Sequence, residues 1–136
     1  MSNPTCALIL RANAIFLLFA SSAAFLADIA GSFFAAGPVA SMFSKAPYLA
    51  IGSAEAHGLA FILGVLLWRA VPGRQSHLTA AGIHILLGSC NLLFWDVFVV
   101  GDVLAVGYVT TVLHWLFVAL QLTAAASAAP RHVQQS

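Results

Sequence analysis

The chain is 136 residues long, 62% hydrophobic and 7% charged, with a formal net charge of +1. Soluble domains run at about 45–50% apolar and about 25% charged residues, so this chain lacks the polar side chains to cover a soluble fold of its size. The composition excludes a soluble enzyme, a disordered segment and a basic nucleic-acid module, and reads as an integral membrane protein.

Four apolar runs follow in chain order. The first, 11–36, starts at Arg11 and stops at Gly37-Pro38. The second, 48–70, enters through Pro47 and closes before Pro72-Gly73, and the third covers 78–100. The fourth covers 103–128 and ends before Pro130. Each is near the ~20 residues a helix needs to cross ~30 Å of hydrocarbon, where only helices satisfy every backbone group within such a run. The expected fold is all-α, an integral membrane up-down four-helix bundle forming a single domain over 1–136. Segment 37–47 is expected as a loop and 71–77 as a polar turn. The Gly101-Asp102 pair makes a tight hairpin in which Asp102 caps the fourth helix. The tail after Pro130 (RHVQQS) is expected to fray. Cys6 and Cys90 have no C-x-x-C spacing and are expected as unpaired thiols.

Basic residues set the orientation. Arg11, Arg69, Arg74 and Arg131 lie at one end of the runs and Lys45 at the other. This asymmetry is expected to place both termini in the cytoplasm. The competing reading is a cleaved leader, because Arg11, the apolar stretch 14–20 and the small residues 21–24 mimic one.

Ionisable groups at bilayer depth cost about 2.5–3.5 kcal/mol each on insertion scales and need a partner, a wet cavity or a function. Counted from the Lys45 side at ~1.5 Å per residue, Asp28 lies about 12 Å deep, Glu55 about 9 Å and His57 about 12–13 Å. On the same count Asn91 lies about 13 Å deep, Asp96 about 6 Å and His114 about 16 Å, with His84 nearer the opposite side. Asp28, Glu55, Asn91 and His114 are therefore expected to border one cavity in that leaflet. Glu55 and His57 are two apart and point about 200° away from each other, so only one of them faces the interior. If Glu55 turns outward, His57 takes its place. On the third run His77, His84 and Asn91 recur every seven residues, and on the fourth Thr110 or Thr111, His114 and Gln121 form a stripe. On the first, Ala20, Ala24, Ala27, Asp28 and Gly31 form a small-residue stripe suited to close helix approach. Trp68, Trp95, Tyr48 and Tyr108 read as interfacial anchors, and Trp115 as a pocket wall beside His114.

Two carboxylic acids and two imidazoles in one apolar seam suit general acid–base chemistry without a cofactor or a metal. Asp28, Glu55, His57, Asn91 and His114 are the candidate catalytic residues, and Trp95, Asp96, Thr111 and Trp115 the candidate substrate contacts. The reaction would be an isomerisation, cyclisation or epoxide opening on a lipid-soluble or isoprenoid-like molecule. A diphosphate substrate is disfavoured, since phosphate chemistry wants Arg or Lys clamps. The alternatives are a haem-binding electron-transfer protein, with His57 and His114 as axial ligands, and a non-enzymatic accessory or lipid-binding subunit, including a homo-oligomer.

The segment Arg11-Ala12-Asn13-Ala14-Ile15-Phe16, followed by a four-helix layout with a short last hairpin, resembles the DoxX-like group of small bacterial membrane proteins. The likeness covers the layout of nearly the whole chain. The group is functionally mixed, so the resemblance implies a fold and no particular activity, and no catalytic residue is carried over from it.

Overall fold

A computed structural model describes residues 4–128. Among these the secondary structure is entirely helical: α1 (Pro4–Phe34), α2 (Ala40–Lys45), α3 (Tyr48–Arg69), α4 (Arg74–Leu93), α5 (Trp95–Val100) and α6 (Leu104–Ser127). Three of them, α1, α3 and α6, are long and apolar enough to cross a membrane. The tail after Pro130 and the position of Arg131 lie outside the described residues.

The helix ends follow local chemistry. Pro47 supplies the N-cap of α3 at φ −59°, close to a helical value. α1 stops where Ala35 and Gly37 take φ of 50° and 88°, a region that reverses the chain. The C-terminal carbonyls of α3 are capped from α1. The Arg11 guanidinium donates to Leu67 O at 3.2 Å, to Ala70 O at 3.3 Å and to Trp68 O, and lies 5.3 Å from the centre of the Trp68 ring. Carbonyls at the C-terminus of a helix lack the i+4 N–H partners of its interior and form the negative end of its dipole, so a cation is well placed there.

Three expectations are corrected. Segment 37–47 is not all loop, because α2 forms within it and buries Met42 and Phe43. Gly31 makes that contact feasible: a Cβ there would lie 2.9 Å from Val39 Cγ2. The run 78–100 is not one helix, because it breaks at Phe94 (φ −108°, ψ 34°) into α4 and α5. Asp102 does not cap the last helix. It sits at φ 58° in the turn, and Val103 is the N-cap, with no side-chain bond.

Paired contacts define the packing. α1 runs antiparallel to α3, with Arg11 beside Leu67 and Asp28 beside His57. α4 runs antiparallel to α6, with His77 on Gln121 and His84 on His114. α1 also packs antiparallel to α6 through Cys6 on Ala124 and Asn13 on Gln121. Leu10, Ala14, Leu17, Leu67 and Ala80 form the apolar centre. Cys6 and Cys90 are free thiols.

The distribution of polarity is the reverse of a soluble fold. Asn13, Ser21, Asp28, His77, His84, Thr111 and Gln121 are buried, while large apolar side chains such as Phe19, Phe33, Leu86, Leu93 and Val112 are exposed. This distribution is the one expected of helices long and apolar enough to cross a membrane, whose apolar faces cost nothing in lipid and whose polar groups need partners inside.

Candidate functional site

The buried polar groups fall into two seams. The first lies between α1 and α3. Asp28 is only 1% exposed, and both of its carboxylate oxygens are engaged. The Ser53 hydroxyl donates to Oδ1 at 2.9 Å, and His57 Nδ1 lies 2.6 Å from Oδ2. Ser53 and His57 are one helical turn apart on α3, so they share a face and can both reach one carboxylate. The His57 side chain remains 35% exposed. Its Nδ1 is therefore held by a buried acid while the ring itself stands partly open.

The second seam lies between α4 and α6 and carries three polar rungs. His77 Nδ1 lies 2.5 Å from Gln121 Oε1, and Gln121 Nε2 donates to Asn13 Oδ1 of α1 at 2.7 Å. His84 Nδ1 and His114 Nδ1 are 2.9 Å apart. Asn91 Nδ2 donates to the Thr110 hydroxyl at 3.0 Å. Phe117 stacks on His84 with ring centroids 5.0 Å apart, and Phe16 lies 6.0 Å from His84 and 6.1 Å from His114.

The expected single cavity bordered by Asp28, Glu55, Asn91 and His114 is thus replaced by two separate hydrogen-bonded seams. Glu55 is exposed on α3. Its two-residue offset from His57 turns it away once His57 engages Asp28. Asn91 and His114 belong to the α4–α6 seam. His84, placed near the opposite side by the depth count, is the direct partner of His114. His57 and His114 each bond a different side chain on a different seam, so the facing pair expected for haem is not formed. Lys45 Nζ donates to Val100 O at 3.4 Å. Among the described residues no three His, Cys, Asp or Glu side chains converge as metal ligands.

Of the expected substrate contacts, Trp95 and Thr111 line an open groove of about 320 Å³ together with Leu92, Tyr108 and Val112. Trp95 and Tyr108 meet edge to face at 4.8 Å. Asp96 is exposed in the first turn of α5. Trp115 packs where Gly88 leaves room: a Cβ on that glycine would lie 3.1 Å from the indole nitrogen.

Sequence reasoning missed Ser53 and Asn13. The signal for Ser53 was its four-residue spacing from His57. Asn13 could have been found as an amide on the same face of α1 as the buried Leu10, Ala14 and Leu17.

No protein family, curated protein or solved structure matches the chain.

Proposed function

We propose that the chain is an integral membrane protein, with α1, α3, α4 and α6 crossing as an up-down bundle, and that Asp28 and His57 form an acid–base centre acting on a lipid-soluble molecule. The observation that carries this reading is the buried Asp28 carboxylate bonded to the Nδ1 of a partly exposed imidazole. An ionised carboxylate at Oδ2 accepts the Nδ1 hydrogen, which leaves Nε2 as the free base. It also stabilises the imidazolium that forms when Nε2 takes a proton. Ser53 fills the other carboxylate oxygen and fixes the rotamer of Asp28.

Such a dyad suits an isomerisation. His57 Nε2 removes a proton from a carbon next to a double bond or carbonyl, the electron pair shifts along the conjugated atoms, and the imidazolium returns the proton at the new position. No redox change is needed. The exterior around the seam is apolar, as an isoprenoid-like or other bilayer-dissolved substrate requires. The DoxX-like layout and a cytoplasmic position for both termini in a bacterial inner membrane belong to the same proposal. Arg11, Arg69 and Arg74 lie at one end of the helices and Lys45 at the other, as the positive-inside bias asks.

The test is deuterium wash-in. Purified protein is incubated in ²H₂O with a lipid extract of its expression host, and the lipids are read by mass spectrometry. Wild type is expected to place deuterium at carbon in one lipid class. Loss of a positioned base is worth roughly 10²–10⁴-fold, so His57→Gln should reduce the label to background and Asp28→Asn should reduce it strongly. Equal labelling by wild type and a folded His57→Gln variant removes the proposal.

A further inference from the structure

The α4–α6 seam is not used by that chemistry, and its layout is unusual for packing alone. His77, His84 and Asn91 recur every seven residues on α4, so successive rungs are roughly 10.5 Å apart and the ladder spans roughly 21 Å of a ~30 Å hydrocarbon core. The ladder starts within one turn of the N-terminus of α4 and ends just before its break at Phe94. Each rung crosses to α6, through Gln121, His114 and Thr110.

Every level also holds a buried polar atom with no hydrogen-bond partner among the described residues. These are Asn13 Nδ2 and His77 Nε2 at the first level, His84 Nε2 at the second and Thr111 Oγ1 near the third. Asn13, His77 and His84 are fully buried and Thr111 is 9% exposed. An unmet buried polar group costs about 1–3 kcal/mol, and water is the usual partner that relieves it. The tautomers are constrained as well. Gln121 Oε1 can only accept, so neutral His77 carries its hydrogen on Nδ1 and offers Nε2 as a bare acceptor.

We propose that the α1–α4–α6 seam is a transmembrane proton-transfer path, with water at the unpartnered atoms and the His84–His114 pair as its narrowest link. The two rings meet through Nδ1, so their Nε2 atoms lie at the outer ends of the pair. A proton arriving at His114 Nε2 makes that ring an imidazolium, whose Nδ1 proton passes to His84 Nδ1. His84 then releases the proton on its own Nε2. One proton enters and one leaves, and both rings end in the other neutral tautomer, from which ring reorientation resets the pair. Phe16 and Phe117 flank the imidazoles with apolar rings, so the relay at this level runs through the imidazoles themselves.

The path rests on the membrane placement proposed above and is independent of the Asp28–His57 chemistry. Flotation with liposomes of phosphatidylethanolamine and phosphatidylglycerol establishes insertion first. Failure to float refutes the placement and the path together. For inserted protein, proton entry is followed with an entrapped pH dye under a potassium gradient set by valinomycin. Wild type is expected to exceed protein-free vesicles at least tenfold. His114→Gln and His84→Gln keep a polar side chain but cannot relay a proton, and should return the flux to the protein-free level. Flux equal to that of protein-free vesicles, or undiminished flux from a folded Gln variant, overturns the proposal. If neither variant folds, wild-type exchange decides. The ring N–H of the His84–His114 pair should exchange with ²H₂O within minutes by ¹⁵N NMR, and protection for days overturns the path.

Discussion

His84 and His114 approach through their Nδ1 atoms to 2.9 Å, with the Phe117 ring stacked on His84. Only one hydrogen can occupy the space between the two nitrogens, so one ring donates and the other accepts. In the neutral pair the donor ring carries its hydrogen on Nδ1 and the acceptor ring on Nε2. Selective ¹⁵N labelling of histidine in detergent-solubilised protein should therefore show two different tautomers for these residues. Identical tautomers would contradict the contact.

Asp28 is the partner of both Ser53 and His57, so its removal leaves two polar groups unmatched at once. Asp28→Ala is expected to destabilise the protein by about 1–3 kcal/mol, the net worth of two hydrogen bonds to the buried carboxylate. Unfolding in mixed detergent micelles reads this directly. Glu55→Gln, on the exposed side of α3, should leave the unfolding midpoint and any catalytic activity unchanged. A large effect at Glu55 together with a small one at Asp28 would invert the arrangement described here.

Gln121 joins three helices, accepting from His77 of α4 and donating to Asn13 of α1. Interhelical hydrogen bonds in bilayers average roughly 0.6 kcal/mol and reach up to about 2 kcal/mol. Gln121→Leu should cost about 1–3 kcal/mol, because it breaks two such bonds and strands their partners. A double-mutant cycle of Gln121→Leu with His77→Leu should show coupling, and additive losses would mean that the bond contributes nothing.

Gly107 lets α5 lie on α6. A Cβ at this position would fall 2.7 Å from Phe98 Cγ, well inside contact distance. Gly107→Ala is expected to lose about 1–3 kcal/mol through overpacking. Phe98→Leu in the same chain should recover part of it by shortening the obstructing side chain. Full stability of Gly107→Ala alone would show that α5 does not pack against α6 as described.

The all-helical class, the presence of helices long and apolar enough to cross a membrane and most helix limits were legible in the residues. The second run was read as 48–70 and α3 is Tyr48–Arg69; the fourth was read as 103–128 and α6 is Leu104–Ser127. These limits depend on proline, glycine and the length of an apolar run, all of which act locally. The start of α1 was less legible: the helix begins at Pro4, seven residues before the Arg11 at which the first run was started. The break at Phe94 had no local signal, since no proline or glycine marks it.

The sequence by itself determined that polar residues set in apolar runs, such as Asp28, His84, Asn91 and His114, would need partners, but it did not separate them from the exposed Glu55 and Asp96. Helical phase also showed that Glu55 and His57 could not both face inward. Only the tertiary structure decided who meets whom. A depth count takes each helix as straight, upright and zeroed at its own end, whereas α1 is 31 residues long and the third run is broken in two. An error of one turn, about 5.4 Å, is enough to exchange hydrogen-bond partners. That is why His84 was placed apart from its partner His114, whereas Asp28 and His57, counted at nearly the same depth, do meet. The register between helices is set by side-chain packing at contacts such as Gly64 on Leu18 and Gly88 on Trp115, which single-helix periodicity does not contain.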